Sequence, residues 1–277
     1  MMKKWMQMND KELERYEANI DWWRDRQGET QAKLTAKNIK DTEKQLKKYY
    51  KNSMEEILGQ FEKVYLKLLS TTIEGREPTP ADLYKLDTYW KMQGQLRDEL
   101  TKLGDKEAAL MSKQFMAQYA DIYEAVALKD NLYFGEVSRE TALQMINSVW
   151  CADGKTWSSR VWQNTEKLRE ALNDNLIHCV LTGKKTTELK QLLQNEFLVD
   201  YNRADTIIRT EMAHIQTEAA KQRYKDSGIK EVEVWADYDE RRCDVCGKLH
   251  KTKHNINGVM PIPAHPNCRC CVIPVVD

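Results

Sequence analysis

Leu46, Tyr50, Met54, Ile57, Phe61, Val64 and Leu68 recur at steps of four or three residues. They lie in a stretch, 10 to 70, that holds no proline and only two glycines. That spacing draws one apolar stripe along a continuous helix, close to a heptad repeat, with Glu and Lys on the other faces. Such a stripe either packs on helices of its own chain or docks on another surface, and periodicity alone does not separate the two. Gly75-Arg76-Glu77-Pro78-Thr79-Pro80 breaks the pattern, because two prolines cannot continue a helix. Helical spacing resumes through Leu83, Leu86 and Trp90, and another helix is expected over 106–130 with Met111, Phe115, Tyr119 and Ile122 on one face. Tyr133-Phe134-Gly135 closes this half.

Beyond it, Ser138 is a plausible N-cap for a helix with Leu143, Ile146 and Trp150. Trp157-Ser158-Ser159-Arg160-Val161-Trp162 leads into a helix with Leu168, Leu172 and Leu176. Thr186 or Thr187 can cap the next, which carries Leu189, Leu192, Leu193 and Phe197. A longer helix is predicted from about Arg203 to Lys225, stopping before Gly228. Val232 and Val234 alternate with charged residues, which predicts short strands over 231–236 and 271–275. The expected fold is mainly α with a small α+β C-terminal domain: an extended helical N-terminal half and a short β-hairpin tail with a Cys/His knuckle. The expected division is a helical docking or assembly region over 1–135 and a C-terminal domain over 136–277.

Charge narrows the functional classes. The chain has 277 residues, 43 Lys and Arg, 43 Asp and Glu, and a formal net charge of zero. Balance argues against a nucleic-acid coat or a polybasic membrane binder. The first 70 residues hold 15 basic against 12 acidic side chains, too small an excess to predict DNA binding. No segment approaches the roughly 20 apolar residues of a membrane helix. The start, Met1 to Gln7, lacks the apolar run of a signal peptide, so a reducing compartment is expected. Clustered cysteines then suggest metal or free thiols before disulfides. Composition is lopsided: Pro261, Pro263, Pro266 and Pro274 crowd the last 17 residues, and Cys243, Cys246, Cys268, Cys270 and Cys271 lie there or just before.

The tail reads Cys243-Asp244-Val245-Cys246, then 18 residues, then His265-Pro266-Asn267-Cys268-Arg269-Cys270-Cys271. A C-x2-C knuckle places two thiolates on one side of a tight turn. His265 and Cys268, with the same spacing, could complete a tetrahedron, giving a closed Cys3His structural zinc site. Arg241, Arg242, Lys248 and Arg269 would favour the thiolate forms. His250, His254 and Cys270 are substitute ligands. The alternative is a compact hairpin with small buried cysteines and no metal. A short tail with little core of its own profits from a staple.

Four features now stand in order: Trp157 to Trp162; Ile208-Arg209-Thr210-Glu211 on a helix; Val234-Trp235 followed by Asp239-Glu240-Arg241-Arg242-Cys243-Asp244-Val245-Cys246; and Pro261-Ile262-Pro263-Ala264-His265-Pro266-Asn267-Cys268-Arg269-Cys270. In combination they resemble the phage minor head protein family, the Mu F-like head morphogenesis proteins, over roughly 136–277. The resemblance implies a virion protein present in few copies inside the capsid, and in the host cytoplasm during assembly. It implies association with the portal protein, influence on DNA packaging or ejection, and packaged DNA or scaffold and capsid proteins as further neighbours. No membrane partner and no catalysis are expected. Arg209 and Glu211 match the family's RTE motif, and Cys270 its terminal run, in structural roles. The chain departs from the family at Gly247-Lys248-Leu249-His250 and Asn257-Gly258-Val259.

Two enzyme readings compete. His265-Pro266-Asn267 beside a knuckle superficially resembles an HNH nuclease, but such enzymes need a helix after that motif, and Cys268 to Asp277 is short and contains Pro274. An ADP-ribosyltransferase-like domain needs an Arg, a Ser/Thr-rich strand and a Glu, a constellation not clear here. Arg209 and Glu211, two apart on a helix, do not share a face and reach different partners. His214 follows Glu211 by three residues and shares its face, so a catalytic Glu–His pair is set against a core-packed histidine.

Overall fold

The structure, a computed structural model, describes residues 10–70, 78–126, 138–236 and 242–275, with side chains described from residue 26. Seven helices and three strands follow in order among the described residues: α1 (Asp10–Ser70), α2 (Pro80–Tyr84), α3 (Asp87–Ala125), α4 (Arg139–Ile146), α5 (Trp157–Leu181), α6 (Thr186–Asp226), β1 (Glu231–Trp235), α7 (Asp244–Leu249), β2 (Lys253–Asn255) and β3 (Cys271–Pro274). The mainly α fold with a small sheet at the C-terminal end is therefore as expected. Two predicted pairs of helices are single ones. The segments around Trp90 and 106–130 join in α3, which carries Gly94 and Gly104 within it, and those after Thr186 and Arg203 join in α6; no Pro interrupts either pair at the join. Tyr133 to Gly135, Asp239 to Arg241, the residues before Asp10 and the boundary at 135/136 lie outside the described residues.

The chain divides into two compact units. The first comprises Met1–Ile39, Gln114–Asn147 and Arg209–Asp277, and the second Lys40–Lys113 and Ser148–Ile208. Each takes residues from both sides of position 135.

The second unit is helical with an apolar core. Leu46, Ile57, Phe61, Val64 and Leu68 of α1 are buried in it, so the stripe is used up within the chain rather than left for docking. Met54 is only half-buried and Ser53 takes the inward position, its hydroxyl donating to Glu99 at 2.8 Å. Leu96, Leu100 and Met111 of α3, Leu168, Leu172 and Leu176 of α5, and Leu189, Leu193 and Phe197 of α6 complete the core. Thr156 caps α5, its hydroxyl accepting the Ser159 N–H. Trp90 is 59% exposed, contrary to its place in the apolar pattern, and packs edge-on against Tyr89.

One polar cluster interrupts this core. Tyr50 donates its hydroxyl to Asp200 at 2.8 Å and approaches Glu107 at 3.3 Å. Both carboxyl groups are about 2% exposed. A phenol has one proton to give, so the second carboxyl cannot be satisfied while both are ionised. Burial first, and then the Asp200 charge, push the Glu107 carboxyl up to about 8. Burial raises the Asp200 carboxyl as well, against the Tyr50 hydroxyl, Arg203 and Lys167, which favour its ionised form.

The first unit is built around the C-terminal part of α6, where Glu211 to Thr217 are buried one after another. The buried face of α1 continues upstream of Leu46, but with polar residues: Gln27, Gln31, Thr35, Asn38 and Thr42. Thr35 donates to Gln216, the Gln118 amide donates to Thr35 at 2.7 Å, and Asn38 donates to Gln118 and Asp121 at 2.9 Å each. Helix α6 ends in a Schellman motif: Gly228, with φ of 79°, donates to Lys225 O and Ile229 to Tyr224 O. The sheet has the order β2-β1-β3, both pairings antiparallel, with Val232 opposite His254 and Val234 opposite Val272. Val234 directs its own N–H and C=O toward β2. Opposite it, Val272 turns its groups outward, and Gln31 donates to that outward carbonyl at 2.9 Å.

Helix α1 approaches β1 closely at Gly28, where a Cβ would stand 2.9 Å from Trp235 Cδ1. Gly59, in the same helix, has nothing within 4 Å of such a Cβ. Gly59→Ala should therefore stabilise by up to about 1 kcal/mol through helix propensity. Gly28→Ala should destabilise by about 1–2 kcal/mol, since the clash exceeds the same gain. Thermal unfolding of the two variants measures this opposition of sign.

The Tyr50 cluster gives a pH dependence. Between about 4.5 and 8 the unfolded chain has an ionised Glu107 and the folded chain a neutral one. Folding takes up a proton there, so this contribution is full at lower pH and is lost as pH rises through about 8. Glu107→Gln should flatten the decline, measured as the urea midpoint from pH 5 to 9.

Candidate metal centre

The chain leaves β1 and enters α7 with Cys243 as its N-cap, so the knuckle sits on the first turn of a short helix rather than on a simple hairpin turn. The Cys243 sulfur accepts the Cys246 N–H at 3.4 Å, and the Cys243 carbonyl accepts the Gly247 N–H at 2.9 Å. These bonds turn both sulfurs to one side. After β2 and a loop, His265-Pro266-Asn267-Cys268 folds as a turn, the Cys268 N–H bonded to the His265 carbonyl at 3.2 Å. Asn267 takes φ of 61°, which asparagine tolerates.

The turn brings His265 onto the knuckle. Its Nε2 lies 3.3 Å from Cys243 Sγ and 3.2 Å from Cys246 Sγ. Its Nδ1 lies 2.8 Å from the Pro266 carbonyl. A carbonyl only accepts, so Nδ1 carries a proton, and in the neutral ring Nε2 is the nitrogen that presents a lone pair to the sulfurs. Cys246 Sγ is 3.8 Å from Cys268 Sγ. Two overlapping groups have all their donor atoms within 4.8 Å: Cys243, Cys246 and His265, and Cys246, Cys268 and Cys270.

Three of the six edges of a tetrahedral site are near these separations, while Cys268 falls outside the group that Cys243, Cys246 and His265 form. With Zn–S about 2.3 Å and Zn–N about 2.0 Å, the edges of the tetrahedron would be about 3.8 Å between sulfurs and about 3.6 Å from sulfur to nitrogen. Cys246 and Cys268 already have the first spacing, and the His265 distances are a few tenths of an ångström inside the second.

The thiols differ electrostatically. The Cys268 thiol falls to about 5, chiefly because the Cys270 thiol donates to it, with the N–H groups of Cys270 and Ala264 helping against the cost of burial. Burial pushes Cys246 up to about 12. Cys243 is lowered, first by the Cys246 N–H, and Cys270 is raised, first by its bond to Cys268. The Pro266 carbonyl heads the causes that raise His265. The two sulfurs that are lowered thus owe it first to the Cys270 thiol, for Cys268, and to the Cys246 N–H, for Cys243. Arg242 instead reaches the Gly247 carbonyl, Arg269 is exposed, and Arg241 is outside the described residues.

Of the substitute ligands, Cys270 joins the cluster and two histidines do not. His250 accepts the Ala236 N–H on Nδ1 and packs edge-on against Trp235; His254 pairs with the Thr252 hydroxyl. Arg209 is half-buried on α6, while Glu211 and His214 are buried. Burial, and then the charge of Lys221, hold His214 down to about 4, so it is neutral at pH 7. The pair is packed into the first unit rather than set in a cleft. After Asn267 the chain enters β3, so the helix an HNH site requires is not formed, and β1, β2 and β3 carry no Ser or Thr.

The first unit thus ends as a small three-stranded sheet carrying a Cys/His knuckle and packed with a helix that bears the Arg-Thr-Glu motif. Residues 170–273 match the family model described as Phage Mu protein F like protein. Over this segment, just over a third of the chain, the family resemblance is borne out, and it takes in the RTE helix, the knuckle and the terminal Cys/His run. No curated protein and no solved structure matches the chain.

Proposed function

We propose that this chain is a phage minor head protein that acts in head morphogenesis beside the portal, during DNA packaging or ejection, without catalysis of its own. The observation that carries this reading is the coincidence of the family match with one physical assembly: the RTE helix, the sheet and the knuckle, which the match spans. His265 supports a structural role, since its free nitrogen is turned onto the sulfurs. Co-purification with the portal protein tests it. The expected outcome is a stable complex, or retention in portal-containing procapsids. No association in either preparation overturns the portal partnership.

As part of the same reading, one structural Zn2+ is held by Cys243, Cys246, His265 and Cys268. Four protein ligands leave no position for water, so the ion supplies cohesion rather than chemistry. Strands of five, three and four residues hold little core, which is where such a staple matters most. Cys270 stands behind Cys268 as a hydrogen-bond donor. Protein purified without added metal should contain about one equivalent of zinc by elemental analysis. Less than about a tenth of an equivalent, with an intact fold, removes the site. Cys268→Ser should lose the metal and Cys270→Ser should keep it; the reverse result makes Cys270 the fourth ligand. Cys243→Ser should cost several kcal/mol if zinc is bound, against roughly 1 kcal/mol for a thiol that holds no metal.

A further inference from the structure

Thr210, the middle residue of the RTE motif, makes a contact that the charged residues on either side do not explain. Its Oγ1 accepts the backbone N–H of Asn267 at 3.1 Å, 57 positions along the chain. Asn267 belongs to the turn that carries His265 and Cys268. Pro266 in the second position, φ of 61° in the third, and the bond from Cys268 N–H to the His265 carbonyl have the pattern of a type II turn.

Types I and II differ mainly by a flip of the central peptide, here the Pro266–Asn267 link. That peptide is held at both ends. Its N–H goes to Thr210, and its C=O receives His265 Nδ1–H at 2.8 Å. Flipping it would withdraw the carbonyl from His265, and with it the bond that keeps the proton on Nδ1 and the lone pair on Nε2. Asparagine accepts both signs of φ, so residue 267 does not by itself choose the orientation. The Thr210 hydroxyl does.

We infer that Thr210 is a positioning residue for the metal ligand His265, acting through the Pro266–Asn267 peptide and so anchoring the knuckle to α6. The motif's central hydroxyl thereby has a task separate from its flanking charges. Outer-shell bonds of this kind orient the ligand ring, and their loss weakens metal binding without removing a ligand.

This inference rests on the zinc reading, and the experiment separates the two. Full-length wild type, Thr210→Val and Thr210→Ser are stripped of metal and titrated with Co2+, then with Zn2+ against a competing chelator. Wild type should bind one Co2+ with the absorption of a tetrahedral sulfur-rich site. Thr210→Val should bind about 10- to 100-fold more weakly with an altered visible band. Thr210→Ser, which keeps the oxygen, should match wild type. If wild type binds neither ion, the zinc reading falls and this inference falls with it. If wild type binds and Thr210→Val equals it in affinity and spectrum, Thr210 has no such role. Equal weakening in Thr210→Ser overturns the role of the hydroxyl. Should Thr210→Val fail to fold, Thr210→Ala is read in the same way.

Discussion

From Glu211 to Thr217, helix α6 has no side that faces water. Most buried helices meet that condition with apolar residues all round. This one carries Glu, His, Gln and Thr among its seven, and a buried polar group without a partner costs about 1–3 kcal/mol. The neighbouring elements are therefore obliged to supply partners, and the composition of the first unit follows from that. Thr35 on α1 answers Gln216, and Gln118 on α3 reaches the Met212 carbonyl. One turn further on, Arg223 lies against the Tyr123 ring and Tyr123 donates to Asp226. Hydrogen bonds demand direction as well as proximity, so this core specifies one register of α1 against α6 where an oily seam would tolerate several.

The knuckle depends on the same helix by a shorter route. Its Cys and His residues come from two separated segments, one on α7 and one on a turn with a left-handed asparagine. Neither segment has enough apolar surface to hold itself in place. The Cys270 thiol, joined by backbone N–H groups, favours the charged Cys268 sulfur, the Cys246 N–H favours that of Cys243, and the Pro266 carbonyl orients the imidazole. Preorganisation there comes from main-chain geometry together with the buried Cys270 thiol, and it tolerates change in the exposed side chains around it.

This explains what was legible in the sequence. The stripe from Leu46 to Leu68, the strands around Val232 and Val272, the glycine stop at 228 and the Cys/His spacing are periodic or local signals, and each survives in the structure. The upstream half of the α1 face was invisible because Gln31, Thr35 and Asn38 are polar, and hydropathy reads polar as exposed. The single course of α6 does not show in the sequence because its apolar phase lapses at Leu198 and Val199, which are exposed, while the helix continues from Thr186 to Asp226. Strand β2, Lys-His-Asn, has no alternation to detect; its ladder partner β1 defines it. His250 and His254 have the right chemistry for ligands, but only the turn after Pro263 decides which imidazole arrives.

The amide of Gln31 has a further effect at the boundary of the sheet. An outer strand normally offers its spare carbonyls to any passing strand, which is how sheets of neighbouring molecules fuse into aggregates. On the β3 side the Val272 carbonyl is already occupied from within the chain. On the other side β2 is only three residues long and begins with a lysine, two of the usual deterrents to strand addition. Both outer strands of this small sheet are thereby guarded against backbone pairing with a neighbouring molecule.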